Sequence, residues 1–156
     1  MRVVSTLIEA HVFRKTKDDI EFLLIKRSDN DDIYPGMWQM VTGSIDENEK
    51  AFQTAVREIK EETGLNPVKL WAAPLTDSFY NPGKDFINMI PVFAALVDYD
   101  AKVILSEEHS DFMWVSKEDA QRVLPWKGQR ISVETIYEYF TMELSNLNLV
   151  EIKLDK

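Results

Sequence analysis

The chain has 156 residues, 45% of them apolar and 11% aromatic, enough for one packed domain and too few for two ordinary ones. Its 27 acidic and 18 basic residues leave a formal charge of −9, a field that repels a nucleic-acid backbone and disfavours binding of the polymer. With no cysteine and only His11 and His109, disulfides, thiolate catalysis and cysteine-held zinc are excluded, so a metal here is expected to be hard and oxygen-bound.

In chain order, the N-terminal stretch MRVVSTLIEAHVFRK lacks the apolar core and cleavage site of a leader. No apolar run of about 18 residues occurs either, so a soluble cytoplasmic protein without a membrane partner is expected. Residues 5–13 and 21–26, rich in β-branched and apolar side chains, predict two strands joined by the polar RKTKDD as a hairpin. SDNDDIYPG reads as a loop, and MWQMVTG as a strand leading into an acidic segment. In that segment Phe52, Ala55, Val56 and Ile59 recur at helical spacing and predict a helix over 49–63. Asn48 is its expected N-cap and Gly64 its C-cap, with Pro67 a stop. Strands are expected over 68–79 and 86–97 around the turn YNPGKD, and a short one over 112–115. Helices are expected over 117–123 and from about 129 to 144. This order predicts a mixed sheet between helices, of the α/β (α+β) class, as one domain over 1–156 with a core over 1–145 and a tail over 146–156 that the pattern does not place.

The helix over 49–63 carries the chemistry. Glu58, Glu61 and Glu62 stand at i, i+3 and i+4, which sets their Cβ atoms roughly 5–6 Å apart on one face. Three such carboxylates repel one another unless protons, distance or a cation relieves them. Mg²⁺ suits the arrangement, because it takes oxygen ligands and bridges carboxylates to phosphates. Arg57 stands one turn from Glu61 and beside Glu58. A solvated helix face would account for the triad alone.

The full stretch is more specific: Gly43, five residues, Glu49, seven residues, then Arg57-Glu58-Ile59-Lys60-Glu61-Glu62-Thr63-Gly64-Leu65. It resembles the Nudix box, G-x5-E-x7-R-E-U-x-E-E-x-G-U, at every specified position, a match with chance odds on the order of 10⁻¹⁰ per window. The resemblance implies the Nudix fold, an α/β/α sandwich around a mixed sheet, and a loop–helix–loop that binds Mg²⁺ or Mn²⁺. It also implies hydrolysis of a nucleoside diphosphate linked to another moiety. By position, Glu58, Glu61 and Glu62 would be the metal-binding and catalytic glutamates. Arg57 would orient Glu58, Glu49 would support, and Gly43 would offer a backbone carbonyl near the metal. Which glutamate is the general base varies within the family.

The flanks LLIKRSDNDDIYPGMWQMVTGSID and ILSEEHSDFMWVS are similar to the Nudix subgroup that cleaves dATP and dihydroneopterin triphosphate. There VTGS, with Thr42, replaces the more common PGG, and a glutamate before a histidine adds a metal ligand. That glutamate is Glu108, with Glu107 beside it as a competing candidate. Lys26 and Arg27 could reach phosphates; Trp38, Phe79 and Tyr80 could stack on a ring; PWKGQR offers Trp126, Lys127 and Gln129. Tyr80 and Pro82 lie near positions that mark diadenosine polyphosphate hydrolases and ADP-ribose pyrophosphatases, so those substrates, like oxidised dNTPs, stay open. The extended signature of NADH pyrophosphatases is absent. A nucleotide-sensing Nudix-like binding protein is the non-enzyme alternative, against which every box glutamate is present. Many Nudix enzymes are homodimers, and no interface is legible in this sequence.

Overall fold

The computed structural model describes residues 1–142 and 150–155. Its elements run β1 (Arg2–Val4), β2 (Leu7–Lys15), β3 (Ile20–Arg27), β4 (Trp38–Gln39), β5 (Val41–Ser44), α1 (Ala51–Thr63), β6 (Lys69–Asn81), β7 (Phe86–Leu96), β8 (His109–Val115), α2 (Lys117–Val123), α3 (Lys127–Thr141) and β9 (Glu151–Ile152). The expected hairpin is present, with β2 and β3 antiparallel and Phe13 opposite Phe22. β6 and β7 form the second, longer hairpin. β2 then pairs with β7 in parallel, which makes the sheet mixed.

Alternation along β2 divides the molecule into layers. Ile8, Ala10 and Val12 join Leu23, Ile25, Phe93 and Ala95 under Ala55 and Ile59 of α1. Phe13, with Phe22, Leu24, Met40 and Val92, packs on the other face beneath Ala120 of α2 and Val133 and Ile136 of α3. The result is the expected α/β/α sandwich. No helix among the described residues is long and apolar enough to cross a membrane.

β1 is not among the expected strands, and several strand ends and the start of α3 shift by one or two residues; four further differences each have a local reason. MWQMVTG is two strands and not one: β4 pairs with β3 and β5 with β2, so the chain changes partner at buried Met40. α1 starts at Ala51, and its N-cap is Lys50 and not Asn48. The Gln53 side chain accepts the Lys50 backbone N–H at 2.9 Å, while Glu49 is held outside the helix by other partners. The strand expected over 112–115 begins at His109, because β8 follows β3 as far as Arg27. Residues 151–152 of the unplaced tail form β9 against Leu70 and Trp71 of β6. The expected end of α3 at residue 144 lies outside the described residues. At the other end of α1, Gly64 is the C-cap as expected, with φ 72° and its N–H on the Lys60 carbonyl at 2.9 Å.

Candidate active site

A cleft of about 520 Å³ opens where β5, the C-terminal half of α1 and the segment before β8 meet, and Arg27, Thr42, Gly43, Ser44, Asp46, Arg57, Glu58, Glu61, Glu62, Ser106 and Glu108 line it. Helix α1 presents the glutamates unequally. Glu61 is exposed, Glu58 is half-buried, and Glu62 is 6% exposed on a helix face that also carries Ile59 and Thr63. Glu108 comes from the turn that precedes β8, held by the Ser28 N–H on the Glu108 carbonyl at 2.9 Å. Carboxylate oxygens of Glu62 and Glu108 and a ring nitrogen of His109 lie within 4.8 Å of one another. Of the two neighbouring glutamates, Glu108 and not Glu107 is the one in this group.

Arg57 organises the rest. Its Nε and Nη2 donate to the two oxygens of Glu49 at 2.9 Å each, its Nη1 to Glu58 at 2.9 Å and Glu61 at 3.3 Å, and its Nη2 also to the Ser44 carbonyl at 3.1 Å. The Thr54 hydroxyl adds a bond to Glu49 at 2.9 Å. The guanidinium, with help from Thr54, holds the Glu49 carboxyl down at about 2. Glu58, tied to the same guanidinium, is nevertheless pushed up by burial. For Glu62 burial dominates, the Glu58 and Glu108 charges add to it, and the carboxyl rises to about 9. Its Oε2 is buried without a hydrogen-bond partner. A buried acceptor that costs free energy when left alone becomes a ligand when a cation reaches it.

On the cleft floor, an added methyl at Gly43 would overlap the Glu58 side chain. The backbone there is pinned by the pairing of Gly43 with Ile8, so Glu58 must yield. Gly43→Ala is therefore expected to lower kcat/KM by about 10²-fold, the effect of displacing a reacting group by roughly 1 Å, with an unchanged circular dichroism spectrum. Wild-type activity would show that the position of Glu58 is immaterial.

Arg27 donates to the Ile33 carbonyl at 2.8 Å and to Asp31 at 2.6 Å, which fixes a cation at the cleft edge. Its Nη1 also reaches the Gln39 carbonyl oxygen at 3.5 Å, leaving the Gln39 amide nitrogen to donate to His109 Nε2 at 3.1 Å. This network assigns the proton of His109 to Nδ1, and burial keeps the ring neutral.

Several residues expected at the site are not brought to the cleft. Tyr80 is the clearest: it lies at the far end of β6 and donates its hydroxyl to Asp85 at 2.8 Å. Lys26 is next to Arg27 on β3 but alternates to the other face, where it pairs with Trp38. Trp38 is half-buried against the core under α2 and α3. Trp126 stacks edge-on against Tyr34, and Lys127 begins α3 beside it. Sequence reading also missed Ser44, Asp46 and Ser106 in the cleft, all polar loop or strand-end residues with no distinguishing pattern. It missed as well a buried polar group at Glu9, His11 and Asp77. There a signal existed, since LIEAHVF places Glu9 and His11 two apart in an otherwise apolar strand.

A family model described as the NUDIX domain matches residues 7–138. The chain is 36% identical over 106 residues to an octanoyltransferase of Myxococcus xanthus, covering 64% of this chain but only 28% of that protein. It is 29% identical over 110 residues to the nucleoside triphosphatase NudI of Escherichia coli, covering 66% of this chain and 78% of the relative. Among solved structures, a Caenorhabditis elegans Ap4A hydrolase binary complex superposes with a TM-score of 0.75 at 25% identity, over 88% of this chain and 98% of the other. The E. coli dihydroneopterin triphosphate pyrophosphohydrolase shares the fold, with a TM-score of 0.69 at 23% identity over 87% and 99% of the two chains.

Proposed function

Because this chain belongs to the Nudix family, we propose that it hydrolyses a nucleoside triphosphate, of the dATP or dihydroneopterin triphosphate kind, to the monophosphate and pyrophosphate with Mg²⁺ or Mn²⁺. The observation that carries the reading is the convergence of Glu58, Glu61, Glu62 and Glu108 on one cleft, with the buried Glu62 Oε2 unpartnered. The donors are carboxylate oxygens, which fit a hard divalent cation. Glu58, Glu61, Glu62 and Glu108 would hold it, with the Gly43 carbonyl at the cleft floor. Bound there, the cation supplies charge neutralisation on the diphosphate and Lewis acidity toward it.

The chain's own groups do the remaining work. Arg27 offers a positive charge to incoming phosphate at the cleft edge. Arg57 keeps Glu58 and Glu61 oriented while neutralising part of their repulsion, and Glu49 supports Arg57 from outside. A carboxylate of the cleft takes a proton from water as the water oxygen bonds to phosphorus and a P–O bond of the anhydride breaks. The pyrophosphate or nucleotide oxygen leaves with the electron pair.

The name of the E. coli relative, a nucleoside triphosphatase, supports a triphosphate substrate. Diadenosine polyphosphate hydrolysis is the second reading, favoured by the likeness to the C. elegans Ap4A hydrolase. The intact set of box glutamates argues against a sensor that binds without cleaving. The test is a substrate panel with Mg²⁺: normal and oxidised dNTPs, dihydroneopterin triphosphate, diadenosine tetraphosphate and ADP-ribose, with products resolved by phosphorus NMR. Pyrophosphate and a monophosphate are expected from a triphosphate. Release of inorganic phosphate, or turnover of the dinucleotide alone, would overturn the leading reading.

A further inference from the structure

The sheet face that packs under α3 carries buried ionisable side chains. Glu9 and His11 of β2 are each 2% exposed and share the face of Phe13. Glu9 Oε2 lies 3.4 Å from His11 Nε2, and the Asp77 carboxyl of β6 lies against that of Glu9. Asp77 in turn packs on the first turn of α3, where a methyl added to Gly128 would overlap it. The next residue, Gln129, is 8% exposed on the buried stripe of α3, and its Oε1 has no partner. Burying such groups costs stability that Leu or Val in their places would not, and none of them lines the acidic cleft.

Two features join this cluster to a ligand path. Glu9 is the cross-strand partner of Thr42, and Thr42 lines the acidic cleft. On the outer side stand exposed rings. Trp126 immediately precedes α3, and Phe79 shares the face of Asp77 two residues along β6. A triphosphate seated in the cleft would carry its ring past Thr42 toward this polar set, with Trp126 and Phe79 on the outer side.

The chemistry of that set selects an edge. Burial pushes both neighbouring carboxyls upward, Asp77 to about 7, which favours one shared proton between them. His11, lowered to about 4 by burial, is neutral. One negative charge and the unpartnered Gln129 oxygen are then the acceptors this set offers. Their complement is a ring N–H beside an exocyclic amine, the 2-amino-4-oxopyrimidine edge common to guanine and pterins. Adenine sets its amine beside a ring nitrogen lone pair, which faces an acceptor without a proton between them.

We propose that Glu9, Asp77 and Gln129 determine specificity for the heteroaromatic part of the substrate by accepting from a 2-amino-4-oxopyrimidine edge, with Trp126 and Phe79 flanking the ring. The inference rests on the acidic cleft being the triphosphate site. Its test does not need turnover: calorimetric titration of the metal-free protein with GMP, AMP and dihydroneopterin. GMP or dihydroneopterin is expected to bind at least about tenfold tighter than AMP, the scale of one well-made bidentate edge contact. The two arms separate guanine from pterin as the source of the edge. Glu9→Gln and Asp77→Asn are each expected to bring the ratio to within about threefold of unity with AMP affinity little changed, a readout that a purely structural role would not move. If Glu9→Gln does not fold, Asp77→Asn at its half-buried position carries the test. Equal affinity for GMP and AMP in the wild type, or a preference kept in the folded variants, overturns the proposal. Selective GMP binding without cleavage of any triphosphate would leave it standing and sink the assigned activity instead.

Discussion

Glu62→Gln is expected to lower kcat by about 10²–10⁴-fold, the scale of several kcal/mol of lost charge stabilisation at the transition state, while leaving the metal-free protein at least as stable. The second half follows from linkage. In the unfolded chain this carboxyl ionises near its ordinary 4.5, whereas in the fold burial and the Glu58 and Glu108 charges raise it to about 9. Between those values the native state binds more protons than the unfolded one, so stability falls as pH rises. The penalty is absent below pH 4.5 and complete above 9, and near neutrality it amounts to about 3 kcal/mol. Glutamine is neutral without taking up a proton, but it leaves a buried amide without a partner, which costs about 1–3 kcal/mol of that gain. About 0–2 kcal/mol of gain remains, so Tm is expected to stay level or rise, by at most about 8 °C for a chain of this length. Added Mg²⁺ should raise the Tm of the wild type and not that of the variant. Near-normal turnover in Glu62→Gln would sink the assignment of the cleft as the metal site.

The parts legible in the sequence are those governed by short-range spacing. The i, i+3, i+4 glutamates needed only helical geometry, and Gly64 needed only the left-handed turn it makes. Phe52, Ala55 and Ile59 revealed the buried stripe of α1 for the same reason. What spacing could not show is depth. Glu58, Glu61 and Glu62 look equivalent in the sequence, yet their burial differs because the segment over residues 104–106 docks on the helix end, Ile104 N–H to the Thr63 carbonyl at 2.8 Å and Ser106 N–H to that of Glu62 at 3.3 Å. That Glu108 and not Glu107 comes near Glu62 likewise follows from a strand pairing, β8 with β3 as far as Arg27 and His109. Lys26, Trp38 and Tyr80 do not line the acidic cleft: Lys26 and Trp38 pair on the other sheet face, and Tyr80 lies at the far end of β6. Asp77 was invisible beside Glu9 because 67 intervening residues separate them, and only the order of strands in the sheet brings them together.

Arg57→Lys is expected to be nearly as damaging as loss of a metal ligand, although Arg57 is here a positioning residue. Its charge would survive the change; its geometry would not. The guanidinium spans both oxygens of Glu49 while also reaching Glu58, Glu61 and the Ser44 carbonyl, and a single ammonium cannot reproduce that fork. Freed from it, Glu58 and Glu61 would move apart under mutual repulsion, so the main symptom should be a higher Mg²⁺ concentration for half-maximal rate. An increase of about 10–100-fold is expected, as for other groups that orient a metal ligand. Glu49→Gln removes the other side of the same bidentate pair and should produce the same symptom. If Arg57 acts through Glu49, the double variant costs little more than either single one, because the second substitution breaks a contact already lost. Effects that multiply would mean that Arg57 meets the substrate itself. Such a result would move Arg57 from the frame of the cleft to its phosphate-facing surface, beside Arg27.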